Sequence, residues 1–125
     1  AGEKYLNIPK DPRFVYLGKV SEQEKYLLLK HTIALLMVSR FEAYSIVTAE
    51  ALSLQCVVLA LKGCLPVDEL IERYGGLSVE KANFASTMQN LWDGSADVKQ
   101  IRPKSELIIK EKSWQSNVEK ILTLL

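Results

Sequence analysis

Two short, unbroken apolar runs limit most strongly what this chain can fold into: Ile33-Ala34-Leu35-Leu36-Met37-Val38 and Cys56-Val57-Val58-Leu59-Ala60-Leu61. Each is too short for a buried helix, and neither alternates polar with apolar residues as a half-exposed strand does. Continuous hydrophobicity of this length suits a parallel strand covered on both faces. Segments of helical period surround the two runs. Ser21-Glu22-Gln23-Glu24 is a capping box, with a cap serine three residues ahead of a glutamate, and it opens a helix running to about Lys30 or His31. Further helices are expected over roughly Ser45–Leu54 and over Val67–Tyr74, the latter stopped by Gly75-Gly76. The helix Glu80–Trp92 sets Phe84, Met88, Leu91 and Trp92 on one stripe, and Asp93-Gly94 closes it. Phe14-Val15-Tyr16-Leu17, ended by Gly18, and Leu77-Ser78-Val79 complete the strand-like segments.

Strands alternating with helices over short loops imply βαβ units, right-handed crossovers and a parallel sheet. The expected fold is α/β: a Rossmann-like, doubly wound parallel sheet of about four strands (14–17, 33–38, 57–61 and 77–79) with helices on both faces, within a single domain over 1–125. A helical tail, Ser95–Leu125, is interrupted at Pro103, which either kinks it or begins a new helix. Trp114, Val118, Ile121, Leu122 and Leu125 fall on one face of that tail. Four short strands leave one sheet edge bare, and the preamble Ala1–Arg13, with Pro9 and Pro12, holds no strand to cover it. The domain then reads as the later two-thirds of a truncated Rossmann-like unit, or as a complete small one. The start, Ala1-Gly2-Glu3 without methionine, suits a processed product or an excised piece. A bare edge predicts an unpaired hydrophobic strand or a homodimer across it.

Composition narrows the function classes. In 125 residues, 48% are hydrophobic and 25% charged, the balance of a soluble globular domain. A formal net charge of +1 gives no electrostatic case for nucleic acid or an anionic membrane. No apolar run nears the ~18 residues of a spanning helix. Cys56 and Cys64 make neither a metal pattern nor a disulfide framework, so a reducing, cytoplasmic setting is expected. His31 is the single histidine and sits at a helix C-terminus, where its charge is favoured. A serine-histidine-aspartate triad would lack a nucleophile elbow.

The stretch with most chemistry is Ser39-Arg40-Phe41-Glu42-Ala43-Tyr44-Ser45-Ile46-Val47-Thr48-Ala49-Glu50-Ala51-Leu52. It places one carboxylate just past a buried strand and a second inside the apolar helix that follows. Acids are rarely buried without a partner. In open parallel sheets ligands sit beyond the carboxyl ends of the strands, where Ser39–Tyr44 falls. The N–H groups of Ser45, Ile46 and Val47 would face an anion at the helix start. Glu50 lies roughly 7–8 Å further along, at ~1.5 Å per residue. A carboxylate there can accept hydrogen bonds from the two hydroxyls of a ribose. The competing readings are a solvated loop acid pairing Arg40 or a helix N-terminus for Glu42, and a surface residue of a half-exposed helix for Glu50. Arg40 is either a phosphate contact or a surface arginine. Lys62-Gly63 reads as a turn that could approach phosphates.

On these residues the sequence resembles a known family. VSRFEAYSIVTAEAL looks like the Glu-x7-Glu signature of the retaining, nucleotide-sugar-dependent glycosyltransferases built from two Rossmann domains, the glycogen-synthase and bacterial mannosyltransferase group. FVYLGKVSEQEKYLLL resembles the strand, glycine and helix ahead of that signature, and VVLALKGCLPVDELIERYGGLSV the strand, small-residue turn and short final strand after it. Ser113-Trp114 before an amphipathic helix is also family-like. The likeness covers roughly residues 13–92. It implies a C-terminal, donor-binding domain in which Glu42 is the acid at the donor sugar near the reacting carbon, the catalytic position. Glu50 would hold the ribose hydroxyls, with Tyr44, Ser45 and Ile46 beside the sugar and diphosphate and Arg40 among the donor contacts. The implied donor is a UDP-, ADP- or GDP-sugar and the acceptor is unknown. Transfer would retain configuration, with no divalent metal and no cofactor. The partner implied is an N-terminal acceptor-binding domain that this chain lacks, in the cytoplasm or peripheral to the inner face of a membrane.

The chain departs from the family pattern at several points. Gln55-Cys56-Val57-Val58 stands where the family has Gly-x-Pro-Val, and Val38 where it has proline. The first βα unit, which carries the basic pair that clamps the diphosphate, is missing. These departures favour an alternative, a non-catalytic remnant that keeps the fold as a nucleotide-sensing or protein-interaction module. The paired glutamates favour a transferase as the parent protein, with this chain inactive alone.

Overall fold

A computed structural model of the chain describes residues 7–113 and 122–123. The two apolar runs become neighbouring strands of one parallel sheet, ordered β1 (Ala34–Met37), β2 (Val57–Leu61), β3 (Leu77–Val79). The register sets Leu35 beside Val58, Leu36 beside Leu59, and Leu59 beside Leu77. Around the sheet run α1 (Glu22–His31), α2 (Ile46–Ser53), α3 (Leu65–Tyr74), α4 (Lys81–Asp93) and α5 (Ser105–Lys112). The architecture is α/β with an open parallel sheet.

A sequential strand order with right-handed crossovers puts α2 and α3 on the same face, and α5 packs against both. Alternation along the strands aims Met37, Val58 and Ala60 at this face. With Leu52, Ile71, Tyr74 and Ile108 they form the main core. Leu59 points the other way, toward the face where α4 crosses β2 and buries Leu91. Helix α1 packs beside α2, and its capping box forms as the sequence predicts: Ser21 Oγ accepts from Glu24 N at 3.2 Å, and Glu24 Oε2 from Ser21 N at 2.8 Å.

Helix α5 is bolted to the core by polar contacts. Ser105 Oγ donates to the Leu52 carbonyl at 2.7 Å. The Tyr74 hydroxyl and the Arg73 guanidinium both donate to the Glu111 carboxylate, at 2.5 Å and at 2.6 and 2.7 Å. The helical tail expected from Ser95 is corrected, since residues 95–104 form no helix; Pro103 lies just ahead of α5 and precedes a new helix rather than kinking one. The approach to α5 depends on Gly75 and Gly76, both at positive φ (104° and 110°). A β-carbon on either would stand 2.9 Å from a backbone oxygen, that of Arg102 or that of Val58.

The sheet has three described strands, so the expected count of about four is corrected. Phe14–Leu17 forms no strand. The chain turns just before it, with Phe14 N donating to the Asp11 carbonyl and the Arg13 guanidinium held on the Asp11 carboxylate at 2.6 Å. Gly18 then reverses the backbone at φ 65°. All four side chains stay exposed. Strand propensity describes fit to a half-buried pleated surface, and these residues have no neighbouring strand to supply one. The bare apolar edge accordingly moves to β1, where Leu36 is exposed along with the flanking Ile33 and Val38. The α4 stripe also packs less than expected. Leu91 is buried, but Met88 is exposed and Trp92 is 74% exposed.

The expected stripe of the tail, Trp114–Leu125, lies outside the described residues apart from Leu122, which is exposed. Residues 1–6 of the preamble also lie outside them. Among the described residues no helix is long and apolar enough to cross a membrane.

Candidate functional site

The carboxyl end of β1 runs into the loop of residues 38–44 and then into α2, as the apolar run followed by a polar break dictates. Across from it, β2 ends in the turn Lys62-Gly63-Cys64 ahead of α3. The two loops enclose a cavity of about 400 Å³ whose wall includes Arg40, Glu42, Gly63, Cys64 and Pro66. This volume is in the range of small-molecule sites. Glu42 is half-buried there and makes no hydrogen bond or ion pair among the described residues. Arg40 is exposed beside it, and Phe41 is almost wholly in solvent at 93%.

Asp68 shapes the opposite wall. It sits in the first turn of α3, where a carboxylate is favoured by the helix dipole. One of its oxygens accepts from Gly63 N at 2.8 Å and the other from Ser78 Oγ at 2.5 Å. The Gly63 amide is thus already engaged, which removes the Lys62-Gly63 turn as a ready phosphate donor.

Glu50 stands elsewhere. It projects from α2 toward α1 and lines a separate cavity of about 320 Å³ with Tyr26, Tyr44, Ile46, Ser53 and Lys112. Its side chain is 19% exposed, and the carboxylate is held by Lys25 Nζ, which donates to Oε1 at 3.1 Å and lies 3.0 Å from Oε2. The Tyr26 hydroxyl donates to Oε1 at 3.3 Å. Oε2 is buried and, although in ionic contact with Lys25, accepts no hydrogen bond of proper geometry. Lys25 also bonds Glu22 Oε1 and Oε2 at 3.0 Å. The Glu22 bond first, and then the Glu50 bond, raise the Lys25 pKa from its ordinary value. The negative charge of Glu50 is the main cause of a raised Tyr26 pKa.

Of the remaining sequence candidates, Tyr44 and Ile46 are exposed at the mouth of the Glu50 cavity. Ser45 is fully buried as the N-cap of α2, and its hydroxyl pairs with Thr48 Oγ1 at 2.7 Å instead of capping the helix. The first-turn N–H groups of α2 therefore have no side-chain cap from Ser45. The fold does not bring Glu42 and Glu50 to one cavity, because Ala43 and Tyr44 run between their two cavities. Sequence reasoning missed Lys25 and Tyr26 as the partners of Glu50, since only the packing of α1 on α2 unites them. It also missed Asp68, for which an acid in the first turn of a helix was an available signal.

A larger cavity, about 750 Å³, lies at the other end of β1, between the 17–20 loop and α1. Of its polar residues, Glu24 is committed to the capping box and Thr32 Oγ1 donates to the Ala34 carbonyl at 3.4 Å, while Lys19 and His31 also line it. The smaller Glu42 cavity is the stronger site, because it occupies the ligand position of open parallel sheets. Among the described residues no group of three or more His, Cys, Asp or Glu side chains could hold a metal ion.

Fold and site together define an α/β protein with an open parallel sheet and a carboxylate-bearing cavity at the carboxyl ends of its strands. Beyond that class, the chain matches no family model, no curated protein and no solved structure.

Proposed function

We propose that this chain is the donor-binding half of a nucleotide-sugar-dependent glycosyltransferase that retains configuration, and that it is inactive without an acceptor-binding partner domain. The observation that carries this reading is the unpaired, half-buried Glu42 in the cavity beyond β1 and β2. A carboxylate in that place can accept sugar hydroxyl hydrogen bonds and stabilise positive charge developing at the anomeric carbon. Gln55 bears on the family resemblance but does not separate the transferase from a remnant of that fold. It follows α2 at φ 63°, a left-handed backbone state that favours glycine, and the family pattern has glycine there. The donor would be a UDP-, ADP- or GDP-sugar, with the backbone of Tyr44, Ser45 and Ile46 and the side chain of Arg40 along its path.

A second reading is the non-catalytic remnant acting as a nucleotide-sensing or protein-interaction module. The ion pair of Glu50 with Lys25 favours it, because a ribose must displace or share that partner. The exposed apolar edge of β1 favours it too, as a surface for a homodimer or another chain.

Calorimetric titration of uridine, adenosine and guanosine diphosphates into the wild type, Glu42→Ala and Glu50→Ala separates these readings. The transferase reading expects weak binding of one nucleotide, lost roughly tenfold or more in Glu50→Ala, since each charge-assisted bond contributes about 1.5–3 kcal/mol. Glu42→Ala should leave nucleotide binding nearly intact and act on the sugar. Equal small effects of both mutations would overturn the roles, and absence of any nucleotide binding would favour the remnant.

A further inference from the structure

We propose that Asp68 is the positioning residue of the Glu42 cavity, holding the turn Lys62–Pro66 in the shape that makes its far wall. The proposal rests on the functional reading only for what the cavity binds.

The geometry is that of a two-point staple. Gly63 lies at φ 115°, a conformation with few local restraints, and nothing lies within 4 Å of where its β-carbon would be. Among the described residues, its amide is held by one Asp68 oxygen at 2.8 Å. The other oxygen is fixed by Ser78 Oγ at 2.5 Å, from the middle of β3. One carboxylate thereby ties the turn after β2, the first turn of α3 and the edge strand β3 into a unit. The adjoining bonds of Val67 N and Asp68 N to the Cys64 carbonyl, at 3.1 and 2.9 Å, belong to the helix, and Lys62 N anchors the start of the turn on the Val79 carbonyl at 2.9 Å, which leaves Asp68 to hold Gly63 itself. By occupying the Gly63 amide, Asp68 also keeps a backbone donor from the cavity wall. The site is then better matched to the hydroxyls of a sugar than to a phosphate.

Cys64 provides a reporter within the turn. Both Cys64 and Cys56 are 3% exposed and belong to the main core, but Cys64 also lines the cavity, while Cys56 sits just ahead of β2, away from the turn. Iodoacetamide labelling of the folded chain, read for each cysteine by peptide mass spectrometry, distinguishes local release from global loosening. Asp68→Ala should speed alkylation of Cys64 by roughly tenfold or more and leave Cys56 unchanged, as local opening does. Asp68→Asn keeps one acceptor oxygen and should fall between wild type and Asp68→Ala. Ser78→Ala, which frees one side of the staple, should also raise the Cys64 rate.

Equal acceleration of both cysteines would reduce Asp68 to a general stability residue and overturn the proposal, as would an unchanged Cys64 rate. If a nucleoside diphosphate binds the wild type, Asp68→Ala should weaken a nucleotide-sugar more than the matching diphosphate. If no nucleotide binds, the functional reading fails, and the ratio of cysteine rates still decides the role of Asp68.

Discussion

Glu42 and Glu50 are eight positions apart in sequence and live in opposite environments. Glu42 follows the edge strand β1, in a loop facing the start of α3 across a cavity, and has no partner among the described residues. Glu50 lies on a helix packed between α1, α3 and α5, and its charge is absorbed by Lys25 and Tyr26. A carboxylate in the first setting is available to a ligand. In the second it stabilises the protein unless a ligand competes for it. Two acids of one motif can therefore differ in role because their helix and loop are packed differently.

The largest expected effect that tests this contrast is loss of the Glu50 carboxylate. Glu50→Ala removes two hydrogen bonds and leaves the Lys25 ammonium without this counter-charge, so it should destabilise the fold by about 1–3 kcal/mol. Hydrogen exchange should then rise in α1 while the Glu42 loop stays unchanged. A neutral Glu50→Ala in denaturant unfolding would erase the contrast.

Alkaline pH is the next test. Lys25 and Tyr26 both have raised pKa values in the fold, Lys25 through Glu22 and then Glu50, and Tyr26 mainly through the charge of Glu50. A raised pKa means that the protonated form binds the folded state better. This stabilisation is complete below the ordinary values of 10.0 and 10.5 and is lost as pH rises through the higher folded values. The Tm should fall above about pH 10 and fall less steeply in Glu50→Gln. An identical slope in that variant would place the alkaline loss elsewhere, with Tyr74 the obvious alternative, since burial first and then Glu111 raise its pKa.

A smaller effect should come from the end of the Glu50 helix. Gln55→Gly relieves a left-handed backbone at φ 63°. After the greater flexibility of glycine in the unfolded chain is subtracted, it should stabilise by about 1 kcal/mol or less. Destabilisation would mean that the Gln55 side chain does work in packing that outweighs its strain. The smallest effect belongs to Glu42→Ala, expected within about 0.5 kcal/mol of wild type. A larger loss would show that Glu42 has a structural partner, removing the difference between the two acids.

Much of the fold was legible from local pattern. The paired apolar runs became adjacent parallel strands, the Ser21 capping box opened α1 where expected, and Gly75-Gly76 ended α3. Glu42 was legible as a loop acid beyond β1. Phe14–Leu17 was misread, because its composition suits a strand but the decision depended on an adjacent strand that it does not meet. Met88 and Trp92 lie on the apolar stripe that periodicity shows, yet periodicity does not say which part of a stripe meets a neighbour, and both are exposed.

Local pattern was enough to place the helices and the two strands of the apolar runs, because caps, turns and hydrophobic period act over a few residues, whereas Phe14–Leu17 was decided by the absence, among the described residues, of a strand to pair with. Tertiary structure alone decided which charges meet: Lys25 with Glu50, Arg73 with Glu111, and Asp68 with Gly63 and Ser78. Those pairs are 25, 38, 5 and 10 positions apart. The longer ones are set by how α1 and α5 settle on the core, since Coulomb and hydrogen-bond energies depend on distance in space and have no periodic signature along the chain.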